Sequence, residues 1–395
     1  MEMSARSEAI VLSVSPGLKL RVGGLSLAER WERSLSAHGA GPIRRLSLDE
    51  ATAALESAQQ PQLLVWGDAV IEHLALEDFV EQAPSCPSNG ARTLAIAGGA
   101  GPLPVLCLGP EAARRLASAG AGALDSIDQA VAALSAGGIA IEPRTIAEGY
   151  GAIIHDADEA KRATFRLLER LRWRPGGLVA KYLNRPISLR LSYLLVDTRV
   201  TPNQTTLFAF VVGAVGVVLI FMGGYSNVVW GTVLLQINSI VDGIDGELAR
   251  VRHQSSEFGA YLDSVCDEIL SSSTMIGIGY ELARRAEGPS PYLWLGLVAG
   301  VMNFAYALVH WHCKHRHGLG FYWWFEAYKP RRQVQRSTSA WSYLKKLSMK
   351  ESYLFLFMVA AIFGFLQVIL WPLAVGGLAL IVLFFIHIVI KRARF

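Results

Sequence analysis

The chain has 395 residues, of which 52% are hydrophobic and 18% charged, and its mean hydropathy of +0.33 is too apolar for an ordinary soluble protein. Its net charge of +4 is small and its basic residues lie beside apolar segments, which favours an anionic lipid surface or a phosphorylated substrate over nucleic acid as a partner. The scattered cysteines and the absence of heptad or Gly-X-Y repeats exclude a disulfide scaffold, a coiled coil and collagen.

Residues 1–174 have the pattern of an α/β domain, and the segment Met1–Val11 lacks the features of a signal peptide. Short apolar runs predict buried strands at Ile10–Val14, Gln62–Trp66, Thr93–Ala97 and Val105–Leu108. Amphipathic segments predict helices at Ser26–Ala37, Leu48–Ala58, Glu111–Ser118 and Ser126–Ser135. This alternation predicts a mostly parallel, Rossmann-type sheet with helices on both faces. Gly98–Gly101 lacks the G-x-G-x-x-G spacing and is interpreted as a turn.

Residues 175–203 connect this domain to the apolar half of the chain. A charged helix is predicted over Asp156–Arg174, and the Pro-Gly-Gly sequence that follows ends it. The segment Leu178–Val196 then mixes apolar residues with basic ones at helical spacing and is interrupted at Pro186. It suits a helix lying in a membrane interface, and an ordinary amphipathic linker helix is the alternative.

Residues 204–395 contain six apolar segments, each long enough to cross a bilayer. They are Thr205–Gly223, Val228–Ala249, Gly259–Ala283, Tyr292–His312, Tyr353–Trp371 and Pro372–Ile390. We therefore expect an all-α, six-helix transmembrane bundle. Lys and Arg residues flank alternate ends of these segments, so the positive-inside rule predicts a multi-pass protein of the cell (inner) membrane with both termini in the cytoplasm.

Four aspartates occupy the ends of two consecutive apolar segments. Asp242 and Asp245 are three residues apart, and Asp263 and Asp267 are four apart, so each pair shares one face of a helix. The short connection Val251–Phe258 makes the helices antiparallel neighbours, and the carboxylates should converge. Because an aspartate inside a membrane costs about 2.5–3.5 kcal/mol, a cation is expected to neutralise the group. An all-oxygen ligand set favours Mg²⁺ or Mn²⁺ over zinc. The alternative is a surface charge cluster.

Small residues and one fixed cation accompany the aspartates. Gly246, Ala249 and Gly259 keep the helix surfaces small where a bulky group must approach, and Arg250 supplies a positive charge. A metal, small residues and an arginine together describe a diphosphate site.

The motif D-G-x-x-D-G-x-x-A-R-x8-G-x3-D-x3-D, from Asp242 to Asp267, resembles the signature of the CDP-alcohol phosphotransferases. The resemblance covers about residues 178–395, and Thr201-Pro202-Asn203 is similar to the family's entry motif. It implies an integral-membrane enzyme, usually a homodimer, that transfers a phospho-alcohol group from a CDP-alcohol to an acceptor hydroxyl and releases CMP.

The resemblance also assigns roles to individual positions. Asp242, Asp245 and Asp263 would bind the metal, with Asp267 bordering it and acting as the base that takes the acceptor proton. The residues that would hold the cytidine diphosphate are Gly246, Ala249, Arg250 and Gly259, with Asn203 at the same site.

The N-terminal half resembles the sugar-phosphate nucleotidyltransferases. The resemblance lies in the Val-Gly-Gly stretch that follows Leu18, in Gly67-Asp68 and in His155-Asp156-Ala-Asp158, and it implies a vestigial metal site at Asp68 and Asp156. The Gly-rich, Arg-bearing loop that should follow the first strand is missing, so a degenerate domain is expected, and an active cytidylyltransferase is the alternative. The fusion of the two halves resembles the bifunctional inositol-1-phosphate cytidylyltransferase/di-myo-inositol-phosphate phosphate synthases.

The acceptor remains open between two classes. Lys314, Arg331 and Arg332 lie in a basic segment after the fourth apolar stretch and could bind the phosphate of an inositol phosphate. If they are only topology determinants, a phospholipid synthase that uses CDP-diacylglycerol or a lipid alcohol acceptor is the alternative. A cation-coupled transporter is a more remote interpretation of the aspartates.

Overall fold

The computed structural model describes residues 7–13, 20–38, 40–96, 102–146, 149–173, 176–317 and 349–376. The chain divides into two compact units. The N-terminal unit comprises Met1–Leu171 together with Tyr193–Thr198 and Arg250–Gln254. The helical unit comprises Arg172–Ser192, Arg199–Ala249 and Ser255–Phe395.

The N-terminal unit is built on a six-stranded sheet whose strand order is β4-β1-β5-β8-β7-β9. Two small antiparallel pairs, β2 with β3 and β6 with β10, complete the β structure. The strands are β1 (Glu8–Leu12), β2 (Arg21–Val22), β3 (Leu25–Ser26), β4 (Ile43–Leu46), β5 (Gln62–Trp66), β6 (Ala69–Ile71), β7 (Gly90–Ile96), β8 (Pro102–Leu108), β9 (Ala140–Ile146) and β10 (Gly151–Ile153). The predicted α/β sheet is thereby confirmed.

Five of the six strands run in the same direction, which confirms the prediction of a mostly parallel sheet, and β8 is the exception. Strands β4, β1 and β5 run parallel to one another, as do β7 and β9, but β8 is antiparallel to both of its neighbours. Only five residues separate β7 from β8. A parallel crossover needs a dozen or more residues, so this short connection forces a hairpin. The turn predicted at Gly98–Gly101 lies outside the described residues.

In its described residues this unit has six α-helices, and they are α1 (Leu27–Ala37), α2 (Leu48–Glu56), α3 (His73–Glu81), α4 (Pro110–Ser118), α5 (Ile127–Ala136) and α6 (Ala157–Leu171). Helices cover both faces of the sheet because its strand residues alternate between two cores. Ile10 and Leu12 pack with α2, α4 and α5, whereas Ala9 and Val11 pack with α1 and α3. The predicted coverage of both faces is confirmed.

The helical unit begins with the π-helical segment Ala180–Asn184, which continues directly into a regular helix. Its helices are α7 (Arg185–Leu195), α8 (Pro202–Met222), α9 (Tyr225–Val251), α10 (Glu257–Arg285), α11 (Tyr292–His317), α12 (Lys350–Phe363) and α13 (Leu366–Gly376). The interruption expected at Pro186 is absent from this helix. The wider π turn lies directly before the proline, and a local change from α to π hydrogen bonding of this kind accommodates the missing amide hydrogen.

Within the described residues, only α8 is both long enough and apolar enough for a membrane span. Helices α9 and α10 are 27 and 29 residues long, but the aspartates and other charged residues lower their hydropathy. The fifth predicted span is wrong in its bounds. Gly364, with φ of 78°, ends α12, and α13 runs through the predicted boundary between Trp371 and Pro372. The remainder of the sixth predicted span, from residue 377, lies outside the described residues.

Glycines set the closest contacts between neighbouring helices of the helical unit. A Cβ atom added to Gly231 of α9 would lie 2.6 Å from the Gly216 carbonyl oxygen of α8. A Cβ atom added to Gly279 of α10 would lie 2.7 Å from the Gly296 Cα of α11. Small residues that let backbones approach each other are typical of helix pairs in membranes.

Candidate active site

Helices α9 and α10 bring three of the predicted metal ligands together. Asp242 and Asp245 come from α9 and Asp263 from α10, and one carboxylate oxygen of each lies within 4.8 Å of the other two. Asp245 is buried, and the other two are half-buried. The helical spacing of the motif produces this arrangement, since residues three apart share a face.

Asp267, the predicted base, contacts a cation that the sequence did not single out. The Lys350 ammonium, on the first residue of α12, donates a hydrogen bond to Asp267 Oδ1. Lys350 Nζ also lies 3.3 Å from Asp242 Oδ2. The Lys350 side chain is only 19% exposed, so both ion pairs are largely shielded from solvent. One lysine therefore links the predicted base to a predicted metal ligand.

Helix α8 supplies a hydroxyl group to the aspartates. The buried Thr206 donates a hydrogen bond from its Oγ1 to Asp245 Oδ2. Thr206 lies three residues after Asn203, one turn into the helix that the Thr-Pro-Asn motif begins. Thr201 caps this helix by accepting the Gln204 amide hydrogen. The motif therefore sets the start of α8 and, with it, the position of Thr206.

Asn203 and Gly259 lie side by side. A Cβ atom added to Gly259 would approach Asn203 Oδ1 and Ser256 Oγ, both at 3.0 Å. Ser256 caps α10 by accepting the Gly259 amide hydrogen at 3.0 Å. The small residue at 259 therefore allows the first turns of α8 and α10 to approach each other.

The other predicted contacts for the cytidine diphosphate continue along α9. Gly246 and Ala249 follow Asp242 at four and seven residues, so they lie on the same face of the helix as the aspartates. Both are half-buried, whereas Arg250, in the last turn of α9, is exposed.

A buried polar row joins α7 to α9 beside the site. Glu247 accepts hydrogen bonds from the hydroxyl groups of Ser188 and Ser192, each at 2.6 Å. One turn before Ser188, Asn184 donates a hydrogen bond to Ser239 at 2.9 Å and accepts one from Gln236 at 2.8 Å. These contacts join one side of α9 to the helix that precedes α8.

The two aspartates of the predicted N-terminal metal site directly precede β6 and α6. Asp68 lies in the turn between β5 and β6, and its carbonyl accepts the Ile154 amide hydrogen at 2.8 Å. Burial raises the pKa of the Asp68 carboxyl above its ordinary value. The exposed Asp156 carboxylate accepts the Glu159 amide hydrogen at 2.7 Å, so it caps α6.

The residues predicted to bind an acceptor phosphate are not described in this structure beyond one backbone position. Lys314 lies in the last turns of α11, while Arg331 and Arg332 fall in residues 318–348, outside the described ranges.

The aspartate group fits a hard divalent cation. Its three ligand groups are all carboxylates, the donors that Mg²⁺ and Mn²⁺ prefer. Oxygens bound to one Mg²⁺ at about 2.1 Å lie roughly 3–4 Å apart, and the observed separations of up to 4.8 Å need little adjustment to reach that range. In the described part of the chain this is the one group of three such side chains.

Sequence reasoning missed Thr206 and Lys350. Thr206 could have been found as the residue one helical turn after Asn203, facing the same way. Lys350 carried the weaker signal of a lysine that directly precedes an apolar segment, which is indistinguishable from a topology determinant until the helices are packed.

Comparison with known proteins finds a family match for the helical half of the chain. Residues 199–386 match the family model described as CDP-alcohol phosphatidyltransferase. The C-terminal part carries a domain of this family. The matched residues include α8, α9 and α10, and therefore all four aspartates of the motif.

Several known proteins are similar to part of the chain. The "bifunctional IPC transferase and DIPP synthase" of Aquifex aeolicus is 36% identical over 126 residues, which cover 32% of this chain and 28% of that protein. The protein of the same name from Thermococcus kodakarensis is 36% identical over 138 residues, or 34% and 31% of the two chains. The "phosphatidylinositol phosphate synthase" of Corynebacterium glutamicum is 32% identical over 110 residues, or 28% and 49%. The similarity thus spans less than half the length of each relative.

Proposed function

We propose that this protein is an integral-membrane CDP-alcohol phosphotransferase that depends on Mg²⁺ or Mn²⁺, with an inositol phosphate as its acceptor. The observation that carries the proposal is the convergence of Asp242, Asp245 and Asp263, with Asp267 left outside that group, within a domain of this family. Three carboxylates suit a cation, and the fourth is available for proton transfer.

The surface of α8 supports a location in the membrane. Large apolar side chains on this helix are more than half exposed, and they are Leu207, Phe208, Val211, Val218 and Met222. The opposite side packs into the helical unit through small residues such as Ala209 and Gly213. In a bilayer the exposed face would contact lipid, where its apolar area is favourable. The proposal of a multi-pass protein of the inner membrane with both termini in the cytoplasm rests on the Lys and Arg residues that flank the apolar segments.

In the proposed reaction, the acceptor hydroxyl attacks the phosphorus that carries the alcohol of the CDP-alcohol. A new P–O bond forms, the P–O bond to the CMP portion breaks, and CMP leaves with the bridging oxygen. Asp242, Asp245 and Asp263 would hold the cation, which when bound would neutralise charge on the diphosphate and on the leaving group. Asp267 takes the proton of the attacking hydroxyl.

Lys350 has a positioning role in this proposal. Its ion pairs with Asp267 and Asp242 orient the two carboxylates and offset part of their mutual repulsion. Thr206 of α8 orients Asp245 through the hydrogen bond that its hydroxyl group donates. The carboxylates would thus be held in position before substrate binds, so the reaction would need less rearrangement of these side chains.

The names of the relatives support an inositol-type acceptor over a simple lipid alcohol. Two are phosphatidylinositol phosphate synthases, and a third, from Pyrococcus horikoshii, is an archaetidylinositol phosphate synthase. These proteins match this chain over 22–28% of its length. A phosphorylated polyol is therefore the acceptor to test first, with CDP-diacylglycerol and CDP-inositol as donors.

The test uses the purified full-length protein in lipid nanodiscs with Mg²⁺, and it measures CMP release. Each donor is paired with inositol 1-phosphate, with inositol and with diacylglycerol. CMP release should require inositol 1-phosphate and should stop with EDTA. Release with diacylglycerol but not with inositol 1-phosphate would overturn the acceptor assignment, and no release from any pair would overturn the activity itself.

A matched pair of variants distinguishes loss of a metal ligand from loss of any carboxylate on helix α10. Asp263→Asn removes a proposed metal ligand from α10, whereas Glu257→Gln removes an exposed carboxylate from the first turn of the same helix. The first variant should lose CMP release, and the second should retain it. Equal activity of the two variants would contradict the assigned metal site.

A further inference from the structure

The connection between the two aspartate-bearing helices belongs to the N-terminal unit. Residues 250–254 fall in that unit, while Asp245 and Asp263, which flank them in the chain, belong to the helical unit. Helix α9 ends at Val251 and α10 begins at Glu257. The contacts that residues 250–254 make within the N-terminal unit therefore act on the segment that joins the two halves of the aspartate site.

A buried arginine holds the end of α9. Arg30, on α1, is 6% exposed, and its Nη1 donates to the Val251 carbonyl at 2.9 Å and to the Val22 carbonyl at 3.2 Å. Burial lowers the pKa of the Arg30 guanidinium to about 10, so it remains charged at neutral pH. A buried charge is costly unless it is hydrogen-bonded, and a main-chain carbonyl of the connection supplies one of its acceptors.

Two glycines with positive φ contact the same segment. Gly23 and Gly24 have φ of 61° and 80° and form the turn between β2 and β3. A Cβ atom added to Gly23 would lie 2.4 Å from Val251 Cγ1 and 3.2 Å from the Val251 carbonyl oxygen. These are the glycines of the Val-Gly-Gly stretch that resembles the nucleotidyltransferases, and here the stretch packs against the chain's own connection.

Arg252 completes the contacts from within the connection. It is buried, and its guanidinium donates to the carbonyls of Val196 at 3.0 Å and Thr198 at 3.1 Å, and also to that of Leu195. In return, the Arg252 carbonyl accepts from Arg33 Nη1 at 3.1 Å. The main chain at 251 and 252 is therefore bonded by two arginines of α1, Arg30 and Arg33.

We propose that the N-terminal unit acts as a positioning element for the aspartate site, because Arg30 and the Gly23-Gly24 turn fix the connection between α9 and α10. This inference rests on the proposed function, and it assigns the Val-Gly-Gly stretch a role other than nucleotide binding. Asp245 lies six residues before Val251 on the same continuous helix, so a displacement of the helix end displaces the carboxylate. In a catalytic site, a shift of about 1 Å can cost about 100-fold in rate.

Gly23→Ala is the sharpest test, because the chain offers a matched control. Gly138 of the same unit also has positive φ, 73°, but a Cβ atom there would meet nothing within 4 Å. Gly23→Ala and Gly138→Ala therefore carry the same kind of backbone strain, and only the first pushes against Val251. Arg30→Met and Arg30→Lys form a second pair, which removes or keeps the buried charge.

Two readouts are compared in the full-length protein, namely Mn²⁺ affinity by electron paramagnetic resonance and the kcat and KM for CMP release. Gly23→Ala and Arg30→Met should weaken Mn²⁺ binding at least fivefold and lower kcat at least tenfold, with a smaller change in acceptor KM. Gly138→Ala should match the wild type, and Arg30→Lys should recover part of the loss. Hydrogen exchange of the peptides in β5 and β8 should be unchanged, which shows that the sheet is still folded.

The outcomes separate this inference from the proposed function. If Mn²⁺ affinity and kcat of Gly23→Ala and Arg30→Met equal those of the wild type, the positioning role is wrong. If the wild-type protein binds Mn²⁺ but releases no CMP, the proposed function is wrong, and the Mn²⁺ affinities of the variants still decide the positioning role. A loss in Gly138→Ala equal to that in Gly23→Ala would assign the effect to general strain and overturn the inference.

Discussion

The Lys350 ammonium lies 3.3 Å from the carboxylate of Asp242, across 108 residues of sequence. The same ammonium group contacts Asp267 on a different helix. A single side chain thus contacts both a ligand of the proposed metal site and the proposed base. Lys350 is therefore the first residue to substitute.

Lys350→Met should destabilise the protein in the absence of divalent cations. Added Mg²⁺ should restore part of the lost stability. The methionine keeps the length of the side chain but leaves Asp242 and Asp267 without their counter-charge, and breaking a largely buried pair typically costs about 3–5 kcal/mol. Thermal unfolding of the detergent-solubilised protein, with and without Mg²⁺, measures both effects. A variant whose Tm and Mg²⁺ response match the wild type would show that the two ion pairs contribute nothing.

Asp267→Asn should abolish CMP release while Mn²⁺ affinity falls less than threefold. The substitution removes a base and keeps the volume, and Asp267 lies outside the group of three proposed ligands. Asp245→Asn should instead weaken Mn²⁺ binding at least tenfold and lower the rate as a consequence. Measuring both quantities for both variants separates the roles, and wild-type turnover by Asp267→Asn under conditions where chemistry limits the rate would exclude it as the base.

Thr206→Val should lower the rate about tenfold, because it removes the hydroxyl that bonds Asp245 without changing the side-chain shape. A hydrogen bond to a charged group contributes about 1.5–3 kcal/mol, and 1.4 kcal/mol corresponds to tenfold. Thr205→Val is the control, since the Thr205 hydroxyl donates to the Thr201 carbonyl at 3.2 Å. Steady-state CMP release compares the two, and equal loss in both would assign the effect to helix α8 as a whole.

The N-terminal unit should not transfer cytidylyl groups from CTP to inositol 1-phosphate. The phosphate-binding loop expected after the first strand is missing from the sequence, and the Asp156 carboxylate is already engaged as the cap of α6. Pyrophosphate release from CTP is the measurement. Release by the wild type that disappears in Asp68→Ala would identify an active cytidylyltransferase.

The elements of the chain that sequence patterns predicted well are those set by local periodicity. Buried β5 was predicted with its observed bounds, since Gln62–Trp66 is an apolar run between turn residues. The convergence of Asp242, Asp245 and Asp263 followed from helical spacing and a short connection. The first inference needs only adjacent residues, and the second needs helical spacing and one short connection between consecutive helices.

The features that sequence reasoning missed depend on distant parts of the chain. Lys350 reaches Asp267 only because α12 packs beside α10, and no local pattern distinguishes it from the other lysines of its segment. The alternation of strands and helices predicts parallel neighbours, but the connection between β7 and β8 is only five residues long. The antiparallel direction of β8 follows from that short connection. The end of α12 at Gly364 lies within an apolar stretch whose hydropathy alone predicts one continuous helix.

The polar row between α7 and α9 has a consequence for how the chain is made. Asn184, Ser188 and Ser192 leave the ribosome some 50 residues before Gln236, Ser239 and Glu247, their hydrogen-bond partners. During that interval the polar face of α7 lacks its partners on α9. In the membrane location that we propose, α7 would therefore stay at the wet surface during synthesis, and its docking would follow the insertion of α9.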